Sequence, residues 1–160
     1  MLDLHPPSPA RISVETFGLR FAEGSLAARR VLSCLRGDPD DDAARAIGLA
    51  ETAPSDAVLH STSWRWERGD IVLTYVCCPD PLAVEAALVQ PEDGHPGPSD
   101  PTLPGAGRAT PAQVLHHGID HLAWLADHHD ELVVASRVAH PELWDRITRA
   151  GRHRAGQLRR

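Results

Sequence analysis

Alternating apolar and polar residues predict a β-hairpin in the middle of the chain. Two runs rich in aromatic and β-branched residues, 57–67 and 70–78, flank a short polar segment, which is the pattern of two strands joined by a tight turn. A two-residue turn at Arg68-Gly69 fixes the register by counting outward. It pairs Trp66, Trp64, Thr62 and His60 with Ile71, Leu73, Tyr75 and Cys77, in that order. This apolar set is expected on one face of the hairpin, and the other face is expected to be wet or lightly covered.

The pattern on either side of the hairpin predicts one more strand and three helices. Alternation over 12–21 indicates a strand, whereas the apolar residues of 23–35 recur at helical spacing. A short helix is predicted over 38–50, because acidic residues at its start complement the helix dipole. The apolar run 82–89 suits either a helix or a strand, and we interpret it as a helix.

The last part of the chain has a helical pattern. Thr110 is a suitable N-cap and Pro111 a suitable first residue for a helix that reaches Val138, with a break expected near Asp130. Pro141 begins a further helix that leads into an Arg-rich tail. One stripe of the long helix is apolar and is expected to be buried. It consists of Leu115, Ile119, Leu122, Ala126 and Val133.

These elements together predict an α+β fold. We expect a small antiparallel sheet, made of the hairpin 57–78 and the N-terminal strand, with packed helices and a C-terminal helical hairpin. The expected organisation is a disordered arm at 1–9, an α+β part at 10–90, a Pro/Gly-rich linker at 91–110 and a helical part at 111–160. The two parts are expected to pack as a single domain.

The composition indicates where the protein is found and what it does not bind, but it says little about its chemistry. A chain of 160 residues is long enough for one hydrophobic core, and its net charge of −6 gives no reason to expect nucleic acid as a partner. All sixteen Lys or Arg positions are arginine, which indicates the codon bias of a GC-rich bacterial genome. The three cysteines are interpreted as reduced thiols. No export signal or membrane span is recognisable, so we expect a cytoplasmic protein without a membrane partner.

A stripe of histidines on the long helix is the feature that points to chemistry. His117, His121, Trp124 and His128 fall on the side opposite the apolar stripe. Two imidazoles four residues apart are neighbours on a helix, so His117 and His121 are candidate ligands of one divalent metal ion, with Asp120 as third ligand or base. A residue from another element would have to complete the site. The candidates are His60, Cys77 and Asp145.

A short motif in the hairpin is similar to part of a known enzyme family. His60-Ser61-Thr62-Ser63 resembles one half of the motif of the two-histidine phosphoesterases, in which a strand histidine acts on an oxygen at phosphorus. That family uses two such motifs, and this sequence contains one. The resemblance covers four residues, and no catalytic role is transferred from it.

Two hypotheses of function follow from these residues. The first is a non-enzymatic accessory or binding domain that presents Trp64, Trp66, Trp124 and His128 to a protein or small-molecule partner, and it implies no cofactor. The second is a metal-dependent, phosphoesterase-like hydrolase. In that hypothesis His117 and His121 hold a divalent ion such as zinc, and His60 and Asp120 are the catalytic residues.

Overall fold

The computed structural model describes residues 10–49, 56–82, 84–90 and 109–151. Most of the predicted linker, the predicted N-terminal arm and the Arg-rich tail lie outside these ranges. The described residues form an α+β fold, as predicted from the sequence. Its elements in chain order are β1 (Ile12–Ala22), β2 (Ser25–Cys34), α1 (Pro39–Ile47), β3 (Val58–Glu67), β4 (Asp70–Cys78), β5 (Ala87–Leu88), α2 (Pro111–Asp127), α3 (Glu131–Ala139) and α4 (Pro141–Gly151).

The predicted helix at 23–35 is wrong, because this segment is strand β2. β1 and β2 form a continuous antiparallel hairpin that runs from Ser13 opposite Cys34 to Ala22 opposite Ser25. Glu23 and Gly24 connect the strands with positive φ angles of 52° and 77°, as a tight hairpin turn requires. The alanines, leucines and arginines of β2 favour helix in isolation, and the long pairing with β1 overrides that preference.

The strands form one sheet in the order β3-β4-β1-β2-β5. Both long hairpins are antiparallel, and they join side by side through the parallel pairing of β1 with β4. β5 adds two residues to the outer side of β2. The predicted helix at 82–89 is therefore also wrong, since its end pairs with the sheet as β5. The other outer strand is β3, which pairs with β4.

The β3–β4 hairpin has the predicted turn but only half of the predicted register. Arg68 and Gly69 form the turn with positive φ angles of 53° and 88°, and Trp66 and Trp64 lie opposite Ile71 and Leu73 as expected. A bulge between Ser61 and Ser63 then shifts the pairing by one residue. Beyond it, Ser61 lies opposite Tyr75 and His60 opposite Val76. The predicted pairs of Thr62 with Tyr75 and His60 with Cys77 are wrong for this reason.

The helices cover the sheet unequally. α1 packs on one face, where Ala43 meets Val14 and Tyr75. It begins at Asp38, whose carboxylate accepts from the backbone N–H groups of Asp40 and Asp41, so the predicted acidic cap is confirmed.

α2, α3 and α4 lie on the opposite face with the larger part of the core. The predicted N-cap at Thr110 and the break near Asp130 are confirmed, and Gln113 completes a capping box with Thr110. The predicted apolar stripe of α2 and α3 is buried as expected. The core beneath these helices includes Phe17, Leu19, Leu26, Val58, Val76, Ile119, Leu122, Trp144 and Ile147.

Candidate functional site

Gly118 brings α2, the histidine-rich helix, close to the sheet. A Cβ atom at Gly118 would lie 2.5 Å from a methyl carbon of Val76 on β4, which is far inside van der Waals contact. α2 therefore crosses the sheet at a distance that only glycine allows. This packing places the histidine side of the helix beside the start of β3.

Three imidazoles from two elements meet at this junction. The ring centroids of His117 and His121 on α2 are 4.5 Å apart, and the ring of His60 on β3 lies 5.9 Å from that of His121. We call His60, His117 and His121 the histidine cluster. Of the three residues proposed to complete a site with the helix pair, His60 is the one whose ring lies beside it. The bulge in β3 turns His60 to this side of the sheet.

Burial lowers the pKa of two members of the histidine cluster. The pKa of His60 is lowered mainly by loss of solvent, and the nearby charge of Asp130 partly opposes this shift. The pKa of His121 is lowered by the same loss of solvent, and also by repulsion from His117 and His60. Asp130 is the N-cap of α3. Both shifts favour neutral rings, the form that binds metal ions or accepts protons.

The rings of the cluster lie close together and are inclined to one another. The His117 and His121 rings meet edge to face, and the His60 ring is tilted against its neighbour. Within the described ranges, no group of three His, Cys, Asp or Glu side chains is arranged to hold a metal ion. The histidine cluster in this structure is therefore not arranged as a three-ligand metal site.

The other predicted members of the metal site lie elsewhere. Cys77 is buried in β4 with its side chain on the α1 side of the sheet, because β4 residues alternate between faces. Burial raises the pKa of its thiol to about 12, so it is not a reactive thiolate beside His60. Asp145 is bound to Arg149 on the exposed side of α4. The backbone of Asp120 packs beside Gly151 of α4.

The predicted binding residues form two separate surfaces. Trp124 is 52% exposed on α2, and its ring stacks on that of His128 with centroids 4.1 Å apart. Trp64 and Trp66 lie on β3 and share the α1 side of the sheet with Leu73 and Ile71. Trp64 and Trp66 therefore lie on the opposite side of the sheet from Trp124 and His128.

The tip of the β3–β4 hairpin carries an uncovered apolar surface. Trp64 is 69% exposed and Trp66 61% exposed, and Ile12 on β1 lies on the same face at 38% exposure. Ile71 joins them, since it is the partner of both Trp66 and Ile12. α1 covers the sheet farther along the strands, and none of the described helices covers this end. We call Ile12, Trp64 and Trp66 the aromatic edge.

A buried charge network on the other side of the same strands was not recognised from the sequence. Glu15 on β1 is fully buried, and its two carboxylate oxygens accept from Arg30 on β2 and Arg65 on β3, each at 2.6 Å. Arg65 also binds Glu67 and Thr74. Since these groups lie on different strands, only the strand order brings them together. The alternation of the strands gave no sign of that order.

The fold and these surfaces define an α+β protein with a mostly antiparallel five-stranded sheet. No protein-family model, curated protein or solved structure matches the chain. None of the helices within the described ranges is long and apolar enough to cross a membrane.

Proposed function

We propose that this protein is a non-enzymatic binding domain that docks an extended segment of another protein along its aromatic edge. The observation that carries the proposal is the exposure of Trp64 and Trp66, 69% and 61%. Tryptophan is the residue type most enriched among those that dominate binding energy, and clustered apolar exposure marks interaction sites. A cytoplasmic setting belongs to the proposal and accords with the free thiols of Cys34, Cys77 and Cys78.

The position of β3 favours a partner in extended conformation. β3 is one of the two outer strands of the sheet, and among the described residues it pairs with β4 on one side only. Its outer N–H and C=O groups near the tip are therefore available to the backbone of an added strand. Trp64 and Trp66 are two residues apart and point to the same side. They would receive alternate apolar side chains of the added segment.

A peptide-selection experiment tests this proposal. Peptides from a displayed random library are selected on the wild-type protein, synthesised, and titrated against wild type and Trp64→Ala/Trp66→Ala. The double variant is expected to bind them more weakly by more than about tenfold. Trp124→Ala, which removes an exposed tryptophan from α2, is the matched control and should retain full affinity. Failure to enrich any peptide, or equal binding by the double variant, would contradict the proposal.

Backbone methylation tests the docking mode separately. A peptide that adds a strand to β3 donates its N–H groups at alternate residues. N-methylation of one alternate set should abolish binding, whereas methylation of the other set should leave it nearly unchanged. Equal effects of the two sets would exclude strand addition. The role of Trp64 and Trp66 would still be decided by the titration of the double variant.

A metal-dependent hydrolase is the second candidate, favoured by the approach of His60 to His121. In this proposal His117 and His121 bind a divalent ion, and His60 acts as acid or base beside it. Elemental analysis of protein purified without a His tag, followed by a thermal melt with chelator, tests the idea. Stoichiometric metal and a large loss of Tm are expected, and both should vanish in His117→Asn/His121→Asn. Protein that is metal-free and insensitive to chelator would rule it out.

A further inference from the structure

A small cavity lies between the β2 side of the sheet and the first turns of α2. Its volume is about 210 Å³. Phe17, Ala28, Leu88 and Leu115 contribute apolar walls, and the polar residues of the lining are Arg30, Gln90 and His116. A preformed concave site with apolar walls and few polar groups is the usual form of a small-molecule site.

The cavity wall is fastened by specific contacts. The carbonyl of Gln90 accepts from the imidazole Nε2 of His116 at 2.9 Å. The N–H of Val89 donates to the carbonyl of Leu26 at 2.9 Å, and Leu88 pairs with Ala27 on β2. These bonds tie the segment around β5 to both the sheet and α2.

Arg30 is the charged residue that lines the cavity. Its Nε and Nη2 atoms both bind the same oxygen of Glu15, at 2.6 Å each. The other oxygen of Glu15 is taken by Arg65, so a single carboxylate is shared by two guanidinium groups. Arg65 has a second carboxylate partner in Glu67. The charges of these two arginines and two glutamates cancel. Within the described part of the chain, Nη1 is the Arg30 guanidinium nitrogen that binds no carboxylate, and the side chain is 42% exposed.

We propose that this cavity binds a small monocarboxylic acid, with its carboxylate on Arg30 and its hydrocarbon part between Phe17, Leu88 and Leu115. Arginine binds carboxylates with directional, charge-assisted hydrogen bonds, and the Nη1 atom of Arg30, to which no described residue binds, is suited to one. The size of the ligand follows from the volume. An enclosed cavity of about 150 Å³ accepts benzene, and this pocket is somewhat larger and open to solvent beside Arg30 and Leu88, so a ligand of roughly eight to ten non-hydrogen atoms would fill it.

Benzoate is a suitable probe, and benzamide is its uncharged counterpart of nearly the same shape. The isotope-labelled wild-type protein is titrated with each at constant ionic strength, and backbone amide shifts are followed by NMR. Benzoate is expected to bind with a Kd of about 1 mM or lower, and benzamide about tenfold more weakly. The shifts should centre on Ala28, Leu88 and Leu115. Shifts centred elsewhere, or none that saturate at about 10 mM benzoate, would overturn the proposal.

Two variants separate the charge from the cavity. Arg30→Gln should reduce the preference for benzoate over benzamide to near unity, and Arg149→Gln, which removes an exposed charge on α4, should leave it unchanged. Because Arg30→Gln also leaves Glu15 with one partner fewer, Ala112→Leu provides a second test that spares the ion pair. Ala112 lines the cavity, so leucine there should abolish binding of both probes. Wild-type selectivity in Arg30→Gln, or wild-type binding in Ala112→Leu, would refute the assignment.

Discussion

The two hairpins of the sheet end in the same kind of turn but differ in what covers their tips. Both turns use two residues with positive φ, Glu23-Gly24 and Arg68-Gly69. At the first tip, Leu26 is buried in the main core and the guanidinium of Arg146 on α4 lies 5.9 Å from the ring of Phe21. At the second tip the large apolar residues are exposed. Local structure is therefore the same at both tips, and the position of the helices decides which one is available for binding.

Removal of a large side chain should strongly lower the free energy of unfolding at the first tip and change it little at the second. This is the largest effect expected. Leu26→Ala should lower the free energy of unfolding by about 2–5 kcal/mol, because it leaves a cavity in the core. Trp66→Ala should change it by less than about 1 kcal/mol, since the indole is mostly exposed. Denaturant unfolding measures both. A loss at Trp66→Ala as large as at Leu26→Ala would mean that the aromatic edge is part of the core.

The next largest effect on stability is expected at Gly118, where α2 packs closely on the other end of the β3–β4 hairpin. Gly118→Ala would place a Cβ 2.5 Å from the Val76 methyl carbon, and the short valine side chain has little freedom to move. The overpacking should cost about 1–3 kcal/mol, more than the roughly 1 kcal/mol that alanine adds to helix propensity. Net destabilisation in denaturant unfolding is therefore expected. Net stabilisation would show that α2 can shift away from β4 without loss.

The limits of the sequence-based prediction follow from the same comparison. The second turn was predicted because the runs beside it are rich in tryptophan, valine and threonine, residues that favour strands. The first turn was missed, since β2 is built from alanine, arginine and leucine, and Glu23-Gly24 is not among the usual turn pairs. Local patterns thus identified the α+β class, the β1 strand and the helices α1 to α4. They could not identify the parallel contact of β1 with β4, which joins distant residues.

The candidate sites also differ in how far local sequence patterns could predict them. The spacing of His117 and His121 predicted their contact, because both lie on one helix. The position of His60 depended on a bulge that shifts the register, and a bulge at Thr62 has no marker such as glycine in the sequence. The cavity beside Arg30 depends on β2, β5 and α2 together. No local pattern contains that information, and the helix predicted over 23–35 would have hidden it.

Replacement of the turn glycines should lower stability equally at the two tips. The expected loss is smaller than that at Leu26 and larger than the effect of pH. Gly24 and Gly69 have φ angles of 77° and 88°, and a Cβ at either position would meet nothing within 4 Å. Alanine at each should therefore cost about 1 kcal/mol from the left-handed conformation alone. Gly37→Ala is the matched control, since its Cβ also meets nothing within 4 Å and its backbone is not left-handed. It should be neutral or slightly stabilising. Clearly unequal losses at Gly24 and Gly69 would show that the tips differ locally as well as in their cover.

The smallest effect is the pH dependence of the histidine cluster, at the covered end of the β3–β4 hairpin. Burial lowers the pKa of His60 and His121 in the folded protein, so the unfolded chain binds more protons than the folded one as these groups titrate. Stability from this source is complete above the unfolded pKa of about 6.5 and is lost as the pH falls through it towards the folded pKa. The negative charge of Asp130 reduces the loss of stability that comes from His60. Repulsion from His117 increases the loss that comes from His121.

Thermal melts between neutral and mildly acidic pH measure this loss. The Tm should fall below pH of about 6.5 in the wild type and fall less in His60→Asn/His121→Asn. Asn keeps a polar group at each position while removing the titration. His128→Asn is the control, because this exposed ring stacks on Trp124 away from the cluster, and it should retain the wild-type slope. An unchanged slope in the double variant, or a Tm that rises on acidification, would mean that His60 and His121 are solvated and that the cover over this end of the hairpin is open.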